Sequence, residues 1–265
     1  MDEAVNIERC IASLAWCDAV VVVDSGSTDD TVSIATRLGA KTFTHLPDGP
    51  FRISEQRNWA LDHCDITTEW VLFVDADEVI PAPLVDQIVA ACTADTTLDA
   101  FQLAPKYLFL GAWMKRSMGY PNWHDRLLRR DAVRLDGGVW EHFPPGTRTG
   151  RLSEPYLHYA NSKGFTDWLT RHDRYSTWDA EQVTAYLAGG GDAAFGTNRN
   201  LRMRRAAARV WPLRPVLRFL VMYVIRRGFL DGPPALILCI RYAIYEYMTV
   251  EKIVEGQRRK VRAPL

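Results

Sequence analysis

Two aspartates stand two residues apart at the end of a short apolar stretch. Residues 70–74 read Trp-Val-Leu-Phe-Val, and Asp75 and Asp77 follow them. An apolar run that ends abruptly in acids predicts a buried parallel strand. Residues two apart in an extended backbone point to the same side, so both carboxylates would face one site. Carboxylates at the carboxyl end of a strand predict a divalent-cation site, completed by phosphate oxygens or water.

A second acidic turn follows an earlier β-branched stretch. Residues 19–23 predict a strand, and this strand ends in Asp24-Ser-Gly-Ser-Thr-Asp-Asp. Asp24 would then lie at the same edge of the sheet as Asp75, where it would accept hydrogen bonds from a base or ribose, with Ser25 beside it. The alternative at both places is an ordinary strand that turns into a helix, because helix-capping residues follow each acid.

Strands and helices alternate along the first hundred residues, which predicts an α/β fold. A mostly parallel sheet covered by helices on both faces would result. The pattern changes after Asp99, where 100–110 and 127–135 resemble strands separated by loops rich in Gly, Trp and Tyr. The earlier elements are predicted as helices 3–15, 29–38, 53–63 and 81–92, and strands 19–23, 41–45 and 70–74.

The net charge of zero conceals two parts of opposite sign. Residues 1–198 carry 17 Lys and Arg against 28 Asp and Glu, whereas residues 199–265 carry 15 against 4. We therefore expect a catalytic domain over 1–198 and a basic helical extension over 199–265. A basic tail on an acidic body indicates binding to an anionic phosphate surface, either lipid or nucleic acid. No nucleic-acid recognition motif accompanies the charge, so we favour lipid.

Two short apolar runs in the tail suit docking onto a membrane. Residues 216–225 and 234–250 are rich in apolar side chains, but each run is shorter or more charged than a bilayer span of about 20 apolar residues. Short apolar helices flanked by arginine and tyrosine are typical of interfacial binding. The alternative is a pair of core helices that pack on the catalytic domain. No signal-peptide pattern is seen, so we expect a peripheral protein on the cytoplasmic face of the inner membrane.

Several segments, taken in order, resemble family 2 glycosyltransferases with the Rossmann-like GT-A fold. These segments are Asp24-Ser-Gly-Ser-Thr-Asp, Gln56-Arg-Asn-Trp-Ala-Leu and Val74-Asp-Ala-Asp-Glu. Later segments are similar to the lipopolysaccharide-core β-glucosyltransferase branch, and they are Tyr107-Leu-Phe-Leu-Gly-Ala-Trp, Tyr120-Pro, Arg126-Leu-Leu-Arg-Arg, His158-Tyr, Arg171-His-Asp-Arg-Tyr-Ser-Thr and Gly228-Phe-Leu-Asp-Gly. The resemblance covers nearly the whole chain. It implies inverting transfer of a hexose, such as glucose from a UDP-hexose donor, to a lipid-linked glycan such as lipopolysaccharide core.

The beginning of the sequence departs from this family's pattern. Members of the family start with a strand that lies in the middle of the sheet and whose end contacts the nucleotide base. This chain starts with Met1-Asp-Glu-Ala-Val-Asn-Ile, so the first strand is missing. We expect a start codon that has been assigned too late, because the rest of the pattern is intact. If the strand is truly lacking, the alternative is a non-catalytic relative that binds a nucleotide or glycan.

The resemblance assigns roles to the acids at the sheet edge. Asp77 would hold Mg²⁺ or Mn²⁺, and Asp75 would contact the ribose, the metal or a metal-bound water. The ion would stabilise the negative charge that develops on the leaving phosphate. Arg57 would add positive charge near the diphosphate, or it would be a solvated helix arginine.

Two residues are candidates for the general base that accepts the acceptor's proton. Asp125, within His124-Asp-Arg-Leu-Leu-Arg, resembles the Glu-Asp-x-x-Leu-x-x-Arg base motif of the fold. Glu141 is its rival, because members of the branch carry a His-Glu pair near this position. The histidines at 124, 142 and 158 are expected in the core or on the surface, so no zinc site is predicted.

Overall fold

The computed structural model describes residues 1–47, 49, 52–137, 141–191 and 201–260, with the backbone alone at 202, 203 and 260. The α-helices are α1 (Ala4–Ala12), α2 (Thr31–Arg37), α3 (Ile53–His63), α4 (Ala82–Thr93), α5 (Gly164–Ala185), α6 (Leu201–Arg209), α7 (Arg214–Phe219) and α8 (Pro233–Lys260). The strands are β1 (Val21–Asp24), β2 (Lys41–Thr44), β3 (Trp70–Leu72), β4 (Glu78–Val79), β5 (Ala100–Leu103), β6 (Pro105–Phe109), β7 (Ala112–Trp113), β8 (His124–Arg129), β9 (Thr149–Arg151) and β10 (Tyr156–His158). Short π- or 3₁₀-helical turns cover Tyr186–Gly190, Trp211–Leu213, Leu220–Ile225 and Gly228–Asp231.

The described residues form two compact units. Unit 1 comprises 1–108 and 120–162, and unit 2 comprises 109–119 and 163–265. The predicted boundary at residue 198 lies outside the described residues, and the compact division falls earlier in the chain. The reason is that the long helix α5 packs against α8 and so belongs with the carboxyl-terminal helices.

The sheets of the α/β fold are mixed, which corrects the prediction of a mostly parallel sheet. β1 and β2 pair in parallel, whereas β8 lies between β3 and β5 and runs antiparallel to both. β9 adds to β5 in parallel, and β10 joins β4 in antiparallel and β6 in parallel. Strict alternation with helices ends at α4. From β5 onward, strands follow one another without an intervening helix, and such connections permit antiparallel neighbours.

The core of unit 1 has an apolar layer on each face of the sheet that contains β8. Leu127 packs with Leu84 and Ile88 of α4 on one face, and Leu128 packs with Leu61 of α3 on the other. Both leucines are buried, as side chains of a central strand must be. Helices therefore cover both faces, as the sequence predicts. Each such side chain contributes about 1.5–3 kcal/mol by its burial.

A cavity of about 840 Å³ separates β1 from β3 within unit 1. Its walls are Val21–Val23 on one side and Trp70–Val74 on the other, and α1 and α4 lie along it. In the described part of the chain, β1 pairs only with β2 and β3 only with β8, so both strands present a free edge to this space. The wall on the β3 side spans residues 70–74, so the cavity suits a strand of about five residues. It lies where the family's first strand is expected.

We predict that an apolar strand filling this cavity stabilises the protein. A Val- and Ile-rich segment of five or more residues, fused ahead of Met1, would bond to both free edges, since Met1 also lines the cavity. The melting temperature should rise by several degrees, because each kcal/mol added to the free energy of unfolding raises it by about 2–4 °C. Thermal unfolding measures the change. A Gly- and Ser-rich segment of equal length is the control, and equal melting temperatures for both fusions would contradict the prediction.

Unit 2 is helical, and none of its described helices, nor any in unit 1, is both long and apolar enough to cross a membrane. The α7 and α8 helices pack as a hairpin around a buried acid, Glu246. Arg214 and Arg218 donate to the two oxygens of Glu246 at 2.5–2.8 Å. Arg204 bonds to Gln182. These three arginines are therefore engaged inside unit 2, and the binding of the basic extension to lipid stays a prediction.

Candidate active site

The backbone turns sharply between the two aspartates of the Asp-x-Asp sequence. β3 ends at Leu72, and the Glu78 N–H donates to the Asp75 carbonyl at 2.8 Å. The stretch from Asp75 to Glu78 is thus a turn rather than an extended strand. The premise of an extended backbone is therefore wrong, and Asp75 and Asp77 contact different partners.

Asp75 is bound by two arginines. Arg57 Nη2 donates to Oδ1 at 2.6 Å, and Arg126 Nη2 donates to Oδ2 at 2.7 Å. Desolvation opposes ionisation of Asp75, but Arg126 and Arg57 outweigh it and hold the pKa of this carboxyl well below its usual range. Each oxygen of Asp75 accepts one arginine hydrogen bond, which suits the role of an anchor for the arginines, and its role as a metal ligand stays a prediction.

Glu141 completes the arginine cluster. Arg57 Nη1 donates to Glu141 Oε1 at 2.6 Å, and Arg126 Nη1 lies 3.6 Å from the same oxygen. Both arginines are buried, so Arg57 is not a solvated helix arginine. The buried Nε and Nη1 atoms of Arg126 have no hydrogen-bond partner among the described residues. The cluster therefore retains donors that an anionic ligand such as a phosphate could use.

Glu78 is a second buried acid beside Arg126. Its Oε1 accepts a hydrogen bond from Arg126 Nη2 at 2.7 Å, and its Oε2 accepts the Asp75 N–H at 2.9 Å. Burial raises the pKa of Glu78 to about 7, against the attraction of Arg126 and with help from the negative charge of Asp75. Glu78 thus fixes the turn and the orientation of Arg126. The sequence analysis does not name Arg126 as a site residue. The available signal was its place next to Asp125 on one strand, where neighbouring side chains alternate between the two faces.

Asp77 lies beside a histidine from the end of β10. His158 Nε2 is 3.4 Å from Asp77 Oδ2, and the Tyr159 N–H donates to the Asp77 carbonyl at 2.8 Å. Burial opposes protonation of His158, but its hydrogen bond with Asp77 and the negative charges nearby raise its pKa. The expectation that His158 is only a core or surface residue misses this contact. The signal was present, because His158-Tyr is one of the segments that carry the family resemblance.

Asp125 lies on the other face of β8 from Arg126. Its Oδ1 accepts from Gln102 Nε2 at 2.6 Å, and its Oδ2 accepts from the Phe143 N–H. Side chains alternate along a strand, so neighbours point to opposite faces. Asp125 is thus apart from the arginine cluster, but it holds the backbone two residues beyond Glu141.

The Asp24 carboxylate accepts hydrogen bonds from residues of its own turn. Its Oδ2 accepts the Gly26 and Ser27 N–H groups at 2.8 Å, and Oδ1 accepts the Ser27 hydroxyl. Gly26 has a φ of +92°, a conformation that favours glycine. Ser25 Oγ accepts from Gln56 Nε2 at 3.0 Å, so Ser25 is linked to α3 rather than to the arginine cluster.

We predict that Asp24→Asn destabilises the protein by about 1–2 kcal/mol at neutral pH, because two charge-assisted bonds weaken. Burial raises the pKa of Asp24, but its hydrogen bonds to Ser27 and Gly26 prevail and lower it. An acid with a lowered folded-state pKa stabilises above its ordinary pKa of about 4 and loses that contribution as the pH falls. Urea unfolding at neutral and acid pH measures this difference. Asp18→Asn, on the surface, is the control, and an equal loss at both pH values would contradict the account.

No cluster of three or more metal-ligating side chains occurs in the described residues. Asp77 and His158 therefore offer two protein ligands for a metal ion. Oxygens of the sugar donor and water would have to complete its coordination. Mg²⁺ commonly binds in this way, through one or two carboxylates and substrate phosphates. The residues present fit such a shared ion, with Asp77 as the protein oxygen ligand.

The arginine cluster and Asp77 lie within a recognised family domain, and His158 lies just beyond its end. Residues 1–154, more than half of the 265-residue chain, match the profile of Glycosyl transferase family 2. The chain belongs to glycosyl transferase family 2. The family and the GT-A fold predicted from the sequence are therefore confirmed, and the protein is a glycosyltransferase.

Three similar proteins place this glycosyltransferase in context. Lipopolysaccharide core biosynthesis glycosyltransferase LpsC of Rhizobium meliloti is 23% identical over 266 residues, which cover 99% of this chain and 92% of LpsC. An uncharacterized glycosyltransferase of Rickettsia felis is 42% identical over 88 residues, 33% of this chain and 29% of that protein. Glucosyl-3-phosphoglycerate synthase from Mycobacterium tuberculosis, solved with Mn²⁺, UDP-glucose and phosphoglyceric acid, has a TM-score of 0.43 and 21% identity, covering 64% of this chain and 71% of its own.

Proposed function

We propose that this glycosyltransferase transfers a hexose from a UDP-hexose, with inversion, to a hydroxyl of a lipid-linked glycan such as lipopolysaccharide core. The observation that carries the proposal is the pair of buried arginines, Arg57 and Arg126, held between Asp75 and Glu141. Guanidinium groups bind diphosphates well, because their planar fork matches phosphate oxygens. The similarity to LpsC supports the choice of acceptor.

The donor diphosphate would bind beside Arg57 and Arg126. Its oxygens would use the unpartnered donors of Arg126 and compete with Glu141 for Arg57. Asp75 would keep both guanidiniums in place during this exchange. Two positive charges fixed in advance at the leaving phosphate stabilise the charge that develops there and require little reorganisation.

A divalent cation, Mg²⁺ or Mn²⁺, would be held by Asp77 with His158 beside it. Bound there, it would neutralise charge on the departing UDP. Asp77 suits this role because its carboxylate contacts His158 rather than an arginine.

Glu141 would act as the general base. It would take the proton from the acceptor hydroxyl while the hydroxyl oxygen forms a bond to the anomeric carbon. The bond from that carbon to the phosphate oxygen breaks, and UDP leaves with the electron pair. The arginine contacts of Glu141 both fall on Oε1, and Oε2 would accept the proton. Asp125 would position this segment through the Phe143 N–H.

A lipid-linked acceptor would place the protein on an anionic membrane surface, on the cytoplasmic face of the inner membrane where nucleotide sugars are available. The proposal is tested by incubating the purified protein with several UDP-hexoses and Mn²⁺ and measuring UDP release with and without lipopolysaccharide acceptors. We expect release from one donor, an increase with the acceptor and a loss with excess chelator. Release from none of the donors under any of these conditions would contradict the proposal.

A further inference from the structure

The segment Gly228-Phe-Leu-Asp-Gly joins the two helices of the α7–α8 hairpin, and the proposed chemistry leaves it without a role. It forms a tight turn at the end of the hairpin, which we call the tip (residues 225–232). A Cβ on Gly228 would lie 2.4 Å from the Met222 carbonyl oxygen, so the chain has no room for a side chain there. Gly232 has a φ of +91°, which also favours glycine. The tip is therefore closely packed.

The acid of the tip is turned inward. Asp231 Oδ2 accepts the backbone N–H groups of Arg116 and Ser117 and the Ser117 hydroxyl, each at 2.8 Å. All of these residues belong to unit 2. These bonds fix the turn and also occupy the carboxylate, so Asp231 adds little negative charge to the outer surface.

The tip presents apolar side chains to solvent. Ile225 is 72% exposed, Leu230 52% and Phe229 48%. Exposed apolar side chains continue from the tip along both helices at helical spacing. They are Leu213, Val216, Leu217, Leu220 and Val224 on the first arm and Leu236, Ile237, Ile240, Ile244 and Tyr247 on the second.

Charge on this surface is of one sign. Residues 201–250 contain nine arginines and only two acids, Asp231 and Glu246. Glu246 is buried between Arg214 and Arg218, and Asp231 is bonded inward. Arg226 and Arg227 are exposed within the tip. Up to residue 250 the hairpin thus offers apolar and cationic groups with both acids bonded inward, which complements an anionic bilayer and its hydrocarbon boundary, and Glu251 and Glu255 lie farther along α8.

We propose that the tip inserts into an anionic membrane surface, with Ile225, Phe229 and Leu230 at the hydrocarbon boundary and Arg226 and Arg227 at the lipid phosphates. The inference relies on the proposed function only for the kind of surface. It makes the sequence-based expectation specific, because it assigns most of the binding to the insertion of the apolar side chains of the tip.

Vesicle flotation of the full-length protein tests this inference without any sugar transfer, so it can fail separately from the proposed function. Wild-type protein should float with phosphatidylglycerol-containing vesicles and more weakly with phosphatidylcholine vesicles. Leu230→Asp should weaken binding about tenfold or more, as expected for one lost apolar contact. Leu230→Trp should retain or strengthen it, because tryptophan favours the membrane interface. Val5→Asp, an exposed apolar residue of unit 1, is the matched control.

A double variant tests how much the arginine charges contribute to vesicle binding. Arg226→Gln combined with Arg227→Gln should reduce the preference for phosphatidylglycerol vesicles and the effect of salt. UDP affinity and the melting temperature of each variant show whether the fold is intact. Failure of wild-type protein to bind phosphatidylglycerol vesicles would overturn the inference. So would a wild-type dimer that Leu230→Asp dissociates in the absence of vesicles, because the tip would then be a protein interface.

Discussion

Replacing Asp77 with alanine should lower sugar transfer about a thousandfold or more, because a lost metal site removes several kcal/mol of transition-state stabilisation. Mn²⁺-dependent UDP binding, measured by calorimetry, should be lost as well. The fold should remain, since Asp77 lies in a half-buried turn and contacts His158 rather than the buried arginine cluster. His158→Ala should weaken Mn²⁺-dependent UDP binding to a smaller extent.

The control for this experiment is Asp131→Ala, which removes an exposed carboxylate paired only with Arg130 among the contacts described. It should leave UDP binding and turnover unchanged. The account would be contradicted by full turnover of the wild-type enzyme in excess chelator. It would also be contradicted if Asp77→Ala bound UDP with the Mn²⁺ dependence of the wild type.

Replacing Glu141 with glutamine should reduce kcat by roughly two to four orders of magnitude, which is the usual contribution of a general base. UDP affinity should stay the same or increase, because a neutral glutamine competes less strongly than glutamate with the diphosphate for Arg57. The acid limb of the wild-type pH–rate profile, where the base becomes protonated, should disappear in this variant. Steady-state kinetics across pH and UDP titration measure both effects.

Asp125→Asn separates the two candidate bases. Asp125 bonds to Gln102 and to the Phe143 N–H in a buried position, so its loss should cost about 1–3 kcal/mol of stability. Turnover should fall less than in Glu141→Gln, and the acid limb of the pH profile should remain. If Asp125→Asn abolishes turnover with an unchanged melting temperature while Glu141→Gln stays active, the two roles must be exchanged.

Local sequence signals were sufficient for much of the fold. The predicted helix 53–63 coincides with α3, and the glycine-containing turn after β1 is present. Helical periodicity and turn chemistry act over a few residues, so one sequence reveals them. The bounds of the later strands were harder to predict. The predicted strand 127–135 is found at 124–129, and Val133 and Leu135 are buried outside any strand. Apolar residues signal burial, but they do not distinguish a strand from a packed loop.

The site was harder to predict than the fold because its contacts join distant residues. The arginine cluster links residues 57, 75, 126 and 141, and no local pattern reports such pairs. The sequence analysis identified Arg57, Asp75 and Glu141 as separate candidate site residues. It did not indicate that Asp75 would bind two arginines, nor that Asp125 would face away from Arg126. These outcomes depend on the turn at Asp77 and on the register of β8.

The most direct test of the central claim follows the anomeric proton of a UDP-hexose by ¹H NMR in the presence of Mn²⁺ and a lipid-linked acceptor. The account predicts that the α-anomeric donor signal declines with time and that a β-linked product signal replaces it in equal amount. Glu141→Gln should suppress both changes. A product with retained α configuration, or no decline of the donor signal with any UDP-hexose and acceptor, would contradict the account.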